Sequence, residues 1–125
     1  MTILCIDDDG EDLELLQEAI LEIDASIVCV LVNSAQEALD LLGSGLLPDL
    51  ITLDINMPGM DGVTCLTKIR VNEKFQEIKI VLLSTSIYPL NIEKIRTYGA
   101  TYVTKPNNFE DLVTTFSSVL SKVKV

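Results

Sequence analysis

No histidine occurs anywhere in these 125 residues. Without an imidazole the chain cannot build a Ser-His or Cys-His nucleophile, a histidine zinc site or a phosphohistidine intermediate of its own, which removes most hydrolase mechanisms. Cysteine is scarce as well. Cys5, Cys29 and Cys65 fall inside apolar segments without metal-ligand spacing, so reduced core thiols are expected. Nine basic residues against nineteen acidic ones leave a formal charge of −10, a field that repels phosphate backbones. Direct nucleic-acid binding is therefore not expected, and partners should be proteins. No apolar run approaches the ~20 residues that cross a bilayer. The short apolar run at residues 1–6 meets three aspartates rather than a signal cleavage site. A cytoplasmic protein without membrane insertion is the expectation.

What the chain does have is 48% apolar and 22% charged residues, the balance of a globular protein. Its length suits one domain over residues 1–125, with no room for a separate output domain. The organising stretch is Ile51 to Gly62, I-T-L-D-I-N-M-P-G-M-D-G. An apolar run ends at Asp54, and Pro58, Gly59 and Gly62 then force a turn, so Asp54 should sit at the tip of a buried strand. A helix-capping or loop aspartate would satisfy the same local pattern. Three further apolar runs also end on polar residues, at Asp7 and Asp8, at Thr85 and at Lys105.

Hydrophobic spacing predicts strands at residues 2–6, 26–32, 50–53, 79–84 and 102–104. Between and after them, 3.6-residue periodicity predicts helices at residues 11–23, 34–42, 61–71, 90–98 and from Phe109 to Val123. Asp9 is placed to cap the first helix, Ser34 and Glu37 form a capping-box pattern at the second, and Asn91 is the better cap of the fourth. Lys68 and Arg70 lie where the dipole of the third helix favours cations. Five strands alternating with five helices imply an α/β fold, a parallel sheet with helices on both faces in a flavodoxin-like arrangement. The expected strand order is 2-1-3-4-5, which puts the switch point between strands one and three and brings Asp7 and Asp8 beside Asp54.

Three carboxylates at one end of a sheet repel by several kcal/mol unless a cation or raised pKa values relieve them. Oxygen ligands with room for water suit Mg2+, and three carboxylates, one Mg2+ and Lys105 sum to zero charge. Solvated loop acids with no metal are the plainer alternative.

The five points together, Asp7-Asp8, Asp54 with its I-N-M-P-G-M-D-G, Thr85 after V-L-L-S, and Lys105-Pro106 after Y-V-T, resemble the receiver domain of two-component response regulators across the whole chain. The resemblance implies a phosphorelay switch in which Asp54 accepts a phosphoryl group from a partner histidine kinase, a phosphotransfer protein or a small phosphodonor. Asp8, Asp54 and the backbone carbonyl of Asn56 would ligate Mg2+, with Asp7 acting through water. Thr85, the Ser86 N–H and Lys105 would meet the phosphoryl oxygens, and a cis Lys105–Pro106 peptide would aim the lysine. Thr85 and Tyr102 would form a switch toward the surface of the fourth helix, fifth strand and fifth helix. Such a protein catalyses only its own phosphorylation and dephosphorylation. Three departures from the usual pattern are Ser86 in place of a small alanine, a shorter link at residues 99–102, and Lys79 where proline often precedes strand four.

Two other functions compete. A receiver-like module that binds partners without phosphorylation would not need Asp8, Asp54, Thr85 and Lys105 all intact. An aspartyl-phosphate hydrolase usually carries D-x-D-x-T, and here position 56 is Asn and position 58 is Pro. A calcium-binding EF-hand is excluded, because D-I-N-M-P-G puts proline where a ligand is needed and Cys65 where the bidentate glutamate belongs.

Overall fold

A computed structural model describes residues 1–85 and 92–123. Five strands, β1 (Thr2–Ile6), β2 (Val28–Val32), β3 (Leu50–Asp54), β4 (Lys79–Ser84) and β5 (Thr101–Thr104), alternate with five helices. These are α1 (Gly10–Ile23), α2 (Ala35–Gly43), α3 (Gly62–Arg70), α4 (Ile92–Thr97) and α5 (Phe109–Val123). All strand pairs are parallel and the order is β2-β1-β3-β4-β5, as the alternating pattern predicts.

Side-chain alternation along the strands divides the core in two. Leu4 and Ile6 of β1, Ile51 and Leu53 of β3, and Ile80 and Leu82 of β4 pack under α2, α3 and α4. Ile3, Cys5, Val81 and Leu83 point the other way, under α1 and α5. Both faces of the central strands are thus dry, which explains why they read as near-continuous apolar runs. Phe116 of α5 and Leu53 of β3 are fully sequestered. Each such side chain stabilises the fold by about 1.5–3 kcal/mol relative to exposure. Cys5 and Cys65 are buried, Cys29 is half-buried, and all three are free thiols.

The helix starts follow the capping residues. Asp9 accepts from the N–H groups of Glu11 and Asp12, Ser34 from Glu37 at 3.1 Å, and Asp61 from Thr64 at 2.8 Å. Two local features depart from expectation. A 3-10 turn at Glu73–Phe75, capped by Asn72, precedes β4 and buries Phe75. Arg70, expected only to face its own helix dipole, instead donates from Nε to Tyr98 O at 2.7 Å and from Nη1 to Phe75 O. It ties the end of α3 to the end of α4, where Gly99 adopts a φ of +69° and its N–H and that of Ala100 close the last turn onto Arg96 and Ile95. The expected start of α4, including the Asn91 cap, lies outside the described residues.

Candidate functional site

The C-terminal ends of β1, β3, β4 and β5 converge on one crevice. Asp54 is the last residue of β3, Asp7 and Asp8 follow β1, Thr85 follows β4, and Lys105 follows β5. One carboxylate oxygen from each of Asp7, Asp8 and Asp54 lies within 4.8 Å of the other two. Asp7 and Asp54 are buried and Asp8 is exposed, so the acid cluster opens to solvent on one side.

Lys105 answers part of this charge. Its Nζ is 2.8 Å from Asp7 Oδ2, 2.8 Å from Asp12 Oδ2 and 3.6 Å from Asp54 Oδ2. The backbone aims it, because the Lys105 N–H donates to Ser84 O at 2.7 Å and so continues the β4–β5 ladder one residue past its end. Burial alone would lower the pKa of this ammonium. The contacts with Asp12 and Asp7 and the charge of Asp54 outweigh it and hold the lysine protonated well above its ordinary range.

The carboxyl of Asp54 is likewise raised above the ordinary carboxylate range. Burial pushes it up and Asp7 adds to the rise, while the Asn56 N–H, 3.1 Å from Oδ1, and Lys105 oppose it; the outcome is a pKa of about 6. Asn56 also donates from Nδ2 to Thr85 Oγ1 at 3.4 Å, closing the crevice between the loops after β3 and β4. Close packing beneath the site holds Asp54 in place. A Cβ on Gly62 would stand 2.6 Å from the Asp54 carbonyl oxygen and 2.7 Å from the Ile55 Cα, so only glycine lets α3 begin there.

A profile of the response regulator receiver domain matches residues 3–117. The chain is a response regulator receiver domain. It is 33% identical over 126 residues to the transcriptional regulatory protein MalR of Bacillus subtilis, covering 100% of this chain and 52% of MalR. The chain therefore spans about half of that relative, and 29% of each of two protein-glutamate methylesterase relatives. The phosphorylated cyanobacterial phytochrome response regulator RcpA superposes with a TM-score of 0.84 at 30% identity, over 94% of this chain and 89% of RcpA. Response regulator Rcp1 in its Mn2+-bound form gives a TM-score of 0.83 at 26% identity, over 96% of this chain and 91% of that one.

Receiver domains bind Mg2+ in an acidic pocket, and the residues here fit such an ion. The donors are all oxygens, two of the three carboxylates are buried, and the mouth at Asp8 leaves room for the waters that Mg2+ retains.

The structure thus gathers Asp7, Asp8, Asp54, Asn56, Thr85 and Lys105, all expected from the sequence, into one receiver-domain crevice. Ser86 lies outside the described residues. One expectation is corrected: no peptide bond among the described residues is cis, so the Lys105–Pro106 bond is trans, its ordinary preference, and the lysine is aimed by its backbone and its ion pairs. Asp12, the second residue of the predicted first helix and with no motif to single it out, also belongs to the site. Strand alternation was the available signal. Carried past β1, β3 and β5 it puts Asp7, Asp54 and Lys105 on the side covered by α1. Tyr102 is half-buried on the other face and packs against the core under α2, α3 and α4. It also lines a groove of about 590 Å3 with Ile80, Val103, Thr115 and Val119. No helix of the described residues is long and apolar enough to cross a membrane.

Proposed function

We propose that this receiver domain is a phosphoacceptor switch whose Asp54 takes a phosphoryl group from a phosphohistidine of a partner kinase or phosphotransfer protein, or from a small phosphodonor. The carrying observation is the position of Asp54: a buried carboxylate within 3.6 Å of an ammonium and beside two further carboxylates, at the open end of the sheet. With a pKa of about 6 it is ionised at neutral pH and available as a nucleophile. From a phosphohistidine, the O–P bond to Asp54 forms as the donor's N–P bond breaks and the imidazole departs with the partner; from a small acyl phosphate, the donor's O–P bond breaks and its carboxylate leaves.

Such transfer depends on positioning and on neutralising charge at the equatorial oxygens. Lys105, after β5, supplies an ammonium and Thr85, after β4, a hydroxyl, and Ser86 would add its backbone N–H. Asp8, Asp54 and the Asn56 carbonyl would hold Mg2+, with Asp7 acting through a water. The ion, when bound, screens the phosphoryl and carboxylate oxygens from one another. As Thr85 turns toward the new oxyanion it vacates space behind β4, and Tyr102, beside a groove with room for movement, carries the change to the surface of α4, β5 and α5. A downstream protein would read that surface. The −10 charge argues against a nucleic-acid target.

Incubation with Mg2+ and acetyl phosphate, followed by intact mass measurement, tests the reading. One phosphoryl adduct on wild type and none on Asp54→Asn is the expected result. An unmodified wild type would point to a receiver that only binds partners.

A further inference from the structure

We propose that Asp12 is a positioning residue for phosphoryl transfer, its carboxylate holding the ammonium of Lys105 in the resting protein and releasing it when a phosphoryl group arrives. The proposal rests on the reading of Asp54 as the phosphoacceptor.

A lysine ammonium has three N–H donors. Asp7 and Asp12 each take one at 2.8 Å, whereas Asp54 at 3.6 Å lies beyond hydrogen-bond reach. To meet a phosphoryl oxygen carried by Asp54, Nζ must advance and one of its two short contacts must lengthen. The two contacts differ in what their loss costs. The Asp7 side chain is 7% exposed and would be left desolvated without its cation, while that of Asp12 is 42% exposed and regains water on release. Asp12 is therefore the contact that gives way.

Neither backbone can follow the ammonium. The Asp12 N–H is bonded to Asp9 Oδ1 at 3.3 Å in the first turn of α1, and the Lys105 N–H is bonded to Ser84 O. The exchange is confined to the lysine side chain. Asp12 also adds a further negative charge beside Asp7, Asp8 and Asp54, which opposes entry of an anionic phosphodonor.

Asp12→Asn keeps the shape and removes the charge. In single-turnover phosphorylation by acetyl phosphate with Mg2+, its KM for the donor should fall about two- to fivefold, the scale of a half-exposed ion pair, with the limiting rate of transfer near wild type. Asp12→Glu should restore the wild-type KM. As a second readout, acylation of Lys105 in the native protein by a small succinimidyl ester, mapped by peptide mass, should be faster in Asp12→Asn than in wild type, with the other lysines unchanged. A KM unaltered by Asp12→Asn in a protein that is phosphorylated overturns the role of Asp12 alone, and so does a lower KM with unchanged Lys105 acylation. A wild type that accepts no phosphoryl group overturns the phosphoacceptor reading and this role together.

Discussion

The ammonium of Lys105 stands 3.6 Å from Asp54 Oδ2, reaching from the end of β5 over β4 to the end of β3. The crevice is thus closed electrostatically by a residue 51 positions away in sequence from the carboxylate it faces (105 − 54).

Removing that lysine should expose the repulsion it masks. Lys105→Met leaves Asp7 and Asp54 buried with no cation, and breaking a buried pair from one side is costly. With Lys105 18% exposed, a loss of about 1–3 kcal/mol at pH 7.5 in metal-free buffer is expected from urea unfolding. Millimolar Mg2+ should recover much of it. Equal stability of the two proteins without metal would contradict the electrostatic account.

Asp54 sets a pH dependence of definite sign. Its carboxyl moves from 3.8 to about 6 on folding, so the native state binds this proton more tightly than the unfolded chain. The associated stability is fully present below pH 3.8 and is lost as pH rises through about 6. Asp54→Asn removes the titration. Relative to wild type, the variant should gain about 1–3 kcal/mol between pH 4 and pH 7.5 in metal-free buffer. Parallel stability profiles of the two proteins across that range would show Asp54 to be unperturbed.

Mg2+ should raise the melting temperature progressively through the millimolar range, since an ion held by this cluster would bind only the folded chain. Asp8→Ala should blunt that response. Because Asp8 is the exposed member of the three, its loss should cost little stability in metal-free buffer. A melting temperature indifferent to Mg2+ would mean that the acids do not form a metal site.

Gly62→Ala probes the packing beneath Asp54. The new methyl would meet backbone atoms at 2.6 and 2.7 Å, and neither can move without shifting the end of β3. A destabilisation of about 1–3 kcal/mol is expected, with slower phosphorylation of the protein that remains folded. Unchanged thermal unfolding would show that α3 can retreat freely from the strand.

Much of this site was legible because receiver chemistry is concentrated where apolar runs stop. Asp7, Asp54, Thr85 and Lys105 each follow or end a strand that alternates predictably, and Asp9 and Ser34 announce their helices by capping chemistry, whereas Asp61, expected inside the third helix, caps it instead. What escaped notice depends on long-range geometry. The contact of Asp12 with Lys105 and the clasp of Arg70 on Tyr98 O join segments far apart in sequence; strand alternation gives only the face of the sheet for the first, and local spacing carries no record of the second. The cis peptide at Pro106 came from resemblance, whereas this lysine is already directed by Ser84 O and two carboxylates.

The most direct test of the central claim locates the phosphoryl group itself. Protein phosphorylated with acetyl phosphate is treated with borohydride, which reduces an acyl phosphate to the alcohol, and the reduced position is read by peptide mass sequencing. Reduction at Asp54 and at no other carboxylate is expected. Reduction at Asp7, Asp8 or Asp12, or no reduction in a protein that carries the phosphoryl mass, would contradict it.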